Sequence, residues 1–235
     1  MGINETRYGF MDEGMTTATE YLRNTANFGR QQADSFFKRF RVQGWVEDSS
    51  PMEDLAIITP NTTGDNAYGK PALGYLALKE MLGDSLYRAA LHAYIARWHG
   101  KHPTPWDYFY TYDDVTRRNL DWFWQRWFFT NGYIDLGIAA VTRTGSTTRV
   151  VLDNVGGMPA PVTLVVRYAD GSVDSVRQTA AIWKTDARRA VVSLPSRKRV
   201  QAVSLDGGIW MDANPKNDRW PAAPAAMPRP AATRR

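Results

Sequence analysis

Three histidines, a carboxylate near the front and a tyrosine at the start of a helix are the side chains here with chemistry to offer. His92 and His99 stand seven apart, so they share a face of one predicted helix. His99 and His102 lie in RWHGKHPTP, where Gly100 and Pro103 break the helix that a metal-binding pair would use. No carboxylate stands at helical spacing from either, and they read as surface or partly buried histidines, so this chain alone holds no complete metal site. Cysteine is absent, which removes disulfides and every thiol-based zinc, iron–sulfur or nucleophile chemistry. Glu13, in the run Phe10-Met11-Asp12-Glu13-Gly14, is on residue type a carboxylate at a helix N-terminus, where the macrodipole favours it. Tyr68 opens a later helix. Its phenol donates one directed proton and stays neutral near pH 7, because its ordinary pKa is about 10. Glu20 lies seven residues after Glu13 and so on roughly the same helical face. Glu5 and Glu20 read as exposed charges.

The elements that must position these groups fall into two textures. The amino-terminal half is helical by apolar spacing and by its start and stop signals, over 11–28, 32–40, 68–83, 85–98, 104–115 and 119–132. Pro71 is tolerable in a first turn and Gly83 is a stop; Thr104 and Pro105 form an N-cap and first helical position; Asn131-Gly132 closes the last helix. Trp122, Trp124, Trp127, Phe128 and Phe129 recur at helical spacing and read as core rather than a sugar-stacking platform. After Tyr133 come short runs rich in Val and Thr, separated by turn signals such as Thr144-Gly145 and Asp170-Gly171. Val162, Leu164, Val166 and Tyr168 alternate as a strand with one buried face would. The expectation is a small antiparallel β-sandwich of about six or seven strands. Three regions follow: a helical part over 1–133, a β-sandwich over 134–220, and a disordered Pro/Ala/Arg tail over 221–235.

At 235 residues, 43% hydrophobic and 23% charged, the chain is globular in composition and large enough to bury a core without staples. No apolar stretch approaches a membrane span, and MGINETRYGF lacks the basic start and apolar run of a secretory signal. The net charge of +5 is uneven: Lys184 to Arg235 carries +7 and the remainder about −2. Those cations are scattered over short runs with no interleaved stacking aromatics, so no nucleic-acid partner is read from them.

MGINETRYGFMDEGMTTATEYL resembles the stretch that follows the HExxH helix in gluzincin zinc peptidases of the alanyl aminopeptidase and leukotriene hydrolase family. In that family two HExxH histidines bind Zn2+. A glutamate separated from the second one by eighteen intervening residues, in an aromatic/Leu–Asn–Glu–Gly motif, is the third ligand. The resemblance makes Glu13 that ligand, with Asp12 in place of the usual Asn. NAYGKPALGYLALKEMLG resembles the family's Tyr-x-Lys-Gly/Pro-Ala motif, whose tyrosine hydrogen-bonds the oxyanion of the tetrahedral intermediate, and Tyr68 inherits that role. NLDWFWQRWFFTNGYIDLGI and DNVGGMPAPVTLVVRYADGS are similar to the family's closing helix and sandwich strands, so the likeness runs from Met1 to about Trp220. Glu5 and Glu20 would then be supporting carboxylates around the metal.

The implied fold is α+β, the helical part of a thermolysin-like catalytic domain followed by an antiparallel β-sandwich. The implied function is zinc-dependent aminopeptidase chemistry on peptide or protein substrates. HExxH, with two ligands and the general base, would lie upstream of Met1, as would the Gly-x-Met-Glu-Asn segment. The expectation for this chain alone is therefore weak or no zinc binding and no peptidase activity. A start codon placed inside a longer active gene and a true remnant both fit this. A different class, a non-catalytic scaffold presenting a groove to peptides or a partner, would need neither Glu13 nor Tyr68. A carbohydrate-binding sandwich would be marked by Trp183 and Trp210 exposed on one sheet face.

Overall fold

A computed structural model describes residues 1–47, 55–60, 64–195 and 197–221. It is an α+β arrangement, with helices first and antiparallel strands after. A short helix α1 (Glu5–Tyr8) and a 3₁₀ turn (Gly9–Met11) lead into α2 (Glu13–Phe28). Next come α3 (Arg30–Phe37), a π turn (Lys38–Val42) and α4 (Gln43–Glu47), then α5 (Gly64–Ala67), α6 (Gly69–Leu82), α7 (Asp84–Trp98), α8 (Pro105–Thr116) and α9 (Asp121–Phe128).

Helix α6 is apolar on every face, which suits a helix enclosed by its neighbours. Every residue from Gly69 to Leu78 is buried. Helices α2 and α7 pack against it, and an aromatic cluster built from Tyr75, Tyr108, Phe109, Trp124 and Phe128 joins α6, α8 and α9. Helix α8 starts as its sequence directs: the Asp107 carboxylate accepts from both the backbone N–H and the hydroxyl of Thr104, each at 2.7 Å, with Pro105 following.

Two differences from the sequence expectation stand out in the helices. The segment expected at 32–40 instead starts at Arg30 and runs on through a π turn to Glu47, because no breaker halts it. The last helix stops at Phe128 instead of reaching Asn131-Gly132, and Phe129 takes a non-helical φ of −109° and ψ of 1°.

The strands form two antiparallel sheets. One has the order β1 (Leu136–Thr144), β2 (Thr147–Asn154), β5 (Arg189–Pro195). The other runs β4 (Val173–Gln178), β3 (Val162–Tyr168), β6 (Val200–Leu205), β7 (Arg219–Trp220). Val162, Leu164, Val166 and Tyr168 are buried at alternate positions of β3, and Val150 and Leu152 on β2, Val192 and Leu194 on β5 do the same. These residues and the helical core belong to one continuous buried cluster. The change from helix to strand falls between Phe128 and Leu136.

The tryptophans that would have marked a sugar-binding sheet face are both buried. Trp183 donates its indole N–H to the Ala160 carbonyl at 2.8 Å in the interior, and Trp210 lies beneath the Arg177 guanidinium, 4.9 Å from its ring centre. They are core residues: a 3₁₀ turn (Ala180–Trp183) carries Trp183 into the interior, and Trp210 is buried in the loop after β6. Of the aromatic run at 122–129, Trp124, Trp127 and Phe128 are buried, as expected of core. No described helix is long and apolar enough to cross a membrane. The tail beyond Pro221 lies outside the described residues.

Candidate functional site

Glu13 is the first residue of α2, and the 3₁₀ turn before it is pinned from below. Phe10 and Met11 are buried, the Phe10 ring packs on Phe128 at 5.4 Å, and the buried Tyr75 hydroxyl donates to the Phe10 carbonyl at 3.2 Å. These anchors fix where α2 begins, and hence where the Glu13 carboxylate projects.

Tyr68 stands at the N-cap of α6. Two glycines bring its surroundings unusually close. A Cβ on Gly14 would sit 2.9 Å from the Pro71 ring, so the starts of α2 and α6 touch nearly backbone to backbone. A Cβ on Gly69 would fall 1.7 Å from the Arg41 carbonyl oxygen, so the π turn lies directly on the first residue of α6. The Tyr68 hydroxyl consequently reaches Glu13 and donates to Oε1 at 2.7 Å. That bond lifts the Tyr68 phenol above its ordinary pKa of 10, chiefly because the carboxylate holds the proton; burial and the Glu13 charge add to it, and Arg41 opposes it.

Arg41 is a participant that residue spacing did not disclose. Its guanidinium donates to one oxygen of the Glu20 carboxylate, Oε2, from Nε at 3.0 Å and Nη2 at 2.8 Å. Glu20 is thus bound to the π turn, and its position seven residues from Glu13 places it beside this cation. Glu5 is exposed on α1 and makes no side-chain hydrogen bond or ion pair with a described residue. Below the pair lies a second residue that the sequence reading passed over: Lys70, fully buried, donates to the Leu55 carbonyl at 3.1 Å and sits 5.5 Å from the Trp45 ring centre. A buried ammonium must be compensated, and its contacts tie the start of α6 to α4.

The histidines stand apart from all this. All three are exposed, and His102 Nδ1 lies 2.8 Å from the Gly2 carbonyl. Among the described residues no three His, Asp or Glu side chains converge in a way that could hold a metal ion. Glu13 offers a single carboxylate, and a closed zinc set takes four donors. The described residues by themselves do not fit the zinc ion that the resemblance implies.

No family model and no curated protein sequence matches the chain. The fold is similar to part of an aminopeptidase. A crystal structure of Legionella pneumophila aminopeptidase A in complex with aspartic acid superimposes with a TM-score of 0.60 at 15% identity, covering 86% of this chain. The chain spans 23% of that protein's length. At such identity the likeness concerns fold alone, and it supports an aminopeptidase-like fold for the helices and sheets together.

Proposed function

We propose that this chain is the carboxy-terminal part of a zinc-dependent, aminopeptidase-like gluzincin. In this reading residues 1–133 are the helical portion of a thermolysin-like catalytic domain and 134–220 its β-sandwich. The observation that carries it is the 2.7 Å hydrogen bond between Tyr68 and Glu13. The family resemblance assigns these two residues to one centre, and nothing in their separation of 55 residues requires them to meet.

The chemistry of each side chain follows from its setting. Glu13, half-buried at a helix start, offers a carboxylate to a cation. Tyr68 holds its proton above its ordinary pKa and donates it to Glu13, so it would serve an oxyanion on a substrate carbonyl by turning from that carboxylate. One such donor is typically worth about 10²–10³ in rate. Arg41, locked on Glu20, holds a positive charge near the pair without occupying it. The other zinc ligands and the general base would come from outside this sequence.

A non-catalytic scaffold on the same fold is the second reading, favoured by the fact that these residues alone do not make a zinc set. Two measurements separate the two. The DNA upstream of the Met1 codon is read for an in-frame HExxH whose second histidine lies nineteen positions before Glu13. The product of the longer frame is then assayed on an aminoacyl anilide with and without Tyr68→Phe. An HExxH at that distance and a loss of about 10²-fold or more in kcat support the peptidase. Unchanged turnover in Tyr68→Phe, or no HExxH in frame, would overturn it in favour of the scaffold.

A further inference from the structure

Away from the Tyr68–Glu13 pair, a groove of about 590 Å³ opens where the helices meet the sheets, between the end of α9, the turn at 156–159 and the loop at 184–188. Trp122 and Arg126 form one wall, Lys184 and Arg188 the other, and the buried Trp183 lies at its floor. It continues past Arg188 and Asp186 into a shallower hollow that includes Val155, an apolar side chain 49% exposed.

Cations in this groove outnumber the carboxylates free to answer them. Arg126 is half-buried and Lys184 exposed, and neither forms an ion pair with a described residue. Arg188 uses Nη1 on the carbonyls of Asn154, at 3.2 Å, and Val155. Those acceptors are neutral, so they orient the guanidinium without cancelling its charge. Asp186 keeps its charge, so the lining carries three cations to one carboxylate, and that carboxylate is taken up by backbone donors. Asp186 Oδ1 accepts from the backbone N–H groups of Arg188 at 2.8 Å and Arg189 at 3.2 Å, and Asp153 pairs with Arg189 Nε at 2.9 Å. Gly157 at φ +80° takes a turn that favours glycine, and the Arg188 guanidinium packs beside it, Nη1 3.4 Å from where a Cβ would stand. The apolar rings of Trp122 and Trp183 beside these cations strengthen their field on anything that enters.

We propose that this groove binds a short acidic peptide segment of a partner protein, with carboxylates on Arg126, Lys184 and Arg188 and an apolar side chain against Trp122 or Val155. Guanidinium forks match planar carboxylates, and the volume suits a few residues of peptide. A nucleic-acid strand would call for cations repeated along a track with stacking rings at nucleotide spacing. Here three cations converge on one place, beside a single half-buried indole. Binding at the groove would stand whether or not Tyr68 and Glu13 belong to a peptidase centre.

The test titrates the purified chain by calorimetry with a blocked Glu-Glu-Leu-Glu peptide, its Gln-Gln-Leu-Gln counterpart, inorganic phosphate and a single-stranded oligothymidylate. Expected is saturable binding of the acidic peptide that weakens with added salt and falls at least tenfold in Arg126→Gln/Lys184→Gln. Arg126→Lys, which keeps the charge but loses the fork, should weaken binding by less than the double variant, and Arg149→Gln, an exposed cation on β2 outside the groove, should retain most of it. No binding of the acidic peptide, equal binding of the glutamine peptide, equal loss in Arg149→Gln, or tighter binding of phosphate or the oligonucleotide would each overturn the proposal.

Discussion

The Tyr68 hydroxyl donates to Glu13 Oε1 at 2.7 Å, joining the first residue of α2 to the residue that caps α6. The carboxylate favours the protonated phenol, so removing its charge should let Tyr68 ionise at lower pH. In Glu13→Gln the Tyr68 titration is expected to move down towards 10, followed by NMR on ring-labelled tyrosine. Tyr75 and Tyr108 will not obscure it, because burial holds both far above the usual range. An unchanged Tyr68 curve would mean that the two groups do not share the proton in solution.

Gly69→Ala tests what brings that pair together. Its Cβ would collide with the Arg41 backbone carbonyl at 1.7 Å, and a carbonyl held in a π turn cannot rotate away as a side-chain tip could. The expected loss is about 3 kcal/mol, at the upper end for overpacking, read as a lower urea midpoint with an unchanged slope. The Tyr68 titration should shift in the same variant, since α6 must back away from the π turn. A loss under about 0.5 kcal/mol would show that the close approach is not there.

Helix α6 could be read from its residues because its stop and its first-turn proline are local signals: Gly83 at φ +79° and Pro71 both serve as expected. Strand β4 was harder to see. It lies at the edge of its sheet with Val173 exposed and no alternating buried face, so it lacks the periodicity that marked β3. Glu13 and Tyr68 were singled out by resemblance to a family, because two residues so far apart carry no local sign that they meet. Arg41 escaped notice for a tertiary reason: its carbonyl touches α6 only because position 69 lacks a side chain, and its guanidinium reaches Glu20 from a π turn that spacing did not suggest.

Asp218 should make stability depend on pH in an unusual direction. Burial, then the neighbouring Asp212 and Asp135 carboxylates, push its pKa up from 3.8 to about 7, against a smaller pull from Arg219; Asp206 lines the same small hollow. Asp212 is raised as well, mainly by burial. A carboxyl whose folded pKa is raised stabilises fully below its unfolded value and loses that contribution as pH climbs through the folded value. The window here is about pH 4 to 7. Asp218→Asn, which stays neutral, should therefore raise the melting temperature at pH 8 and leave it unchanged at pH 4. The gain is on the order of 1 kcal/mol, since the group is only about half-buried and water screens part of the repulsion. The same increment at both pH values would show that Asp218 does not titrate as argued.

Arg177 on β4 and Glu80 on α6 tie the sheets to the helices, and the two variants should not cost the same. The guanidinium meets the carboxylate in a fork, Nε at 2.8 Å and Nη2 at 2.7 Å, while its plane lies over Trp210 at 4.9 Å. The two side chains are 34% and 27% exposed, so solvent limits their coupling to about 0.5–1 kcal/mol. Arg177→Ala should lose a further ~0.5–1 kcal/mol through its contact with Trp210, which Glu80→Ala leaves in place. A double-mutant cycle in urea measures the coupling directly, and raising the salt to about 1 M should shrink it while the extra Arg177 loss persists. If the single losses simply add, the bridge between α6 and β4 is not a stabilising contact; if Glu80→Ala costs as much as Arg177→Ala, the Trp210 contact contributes nothing.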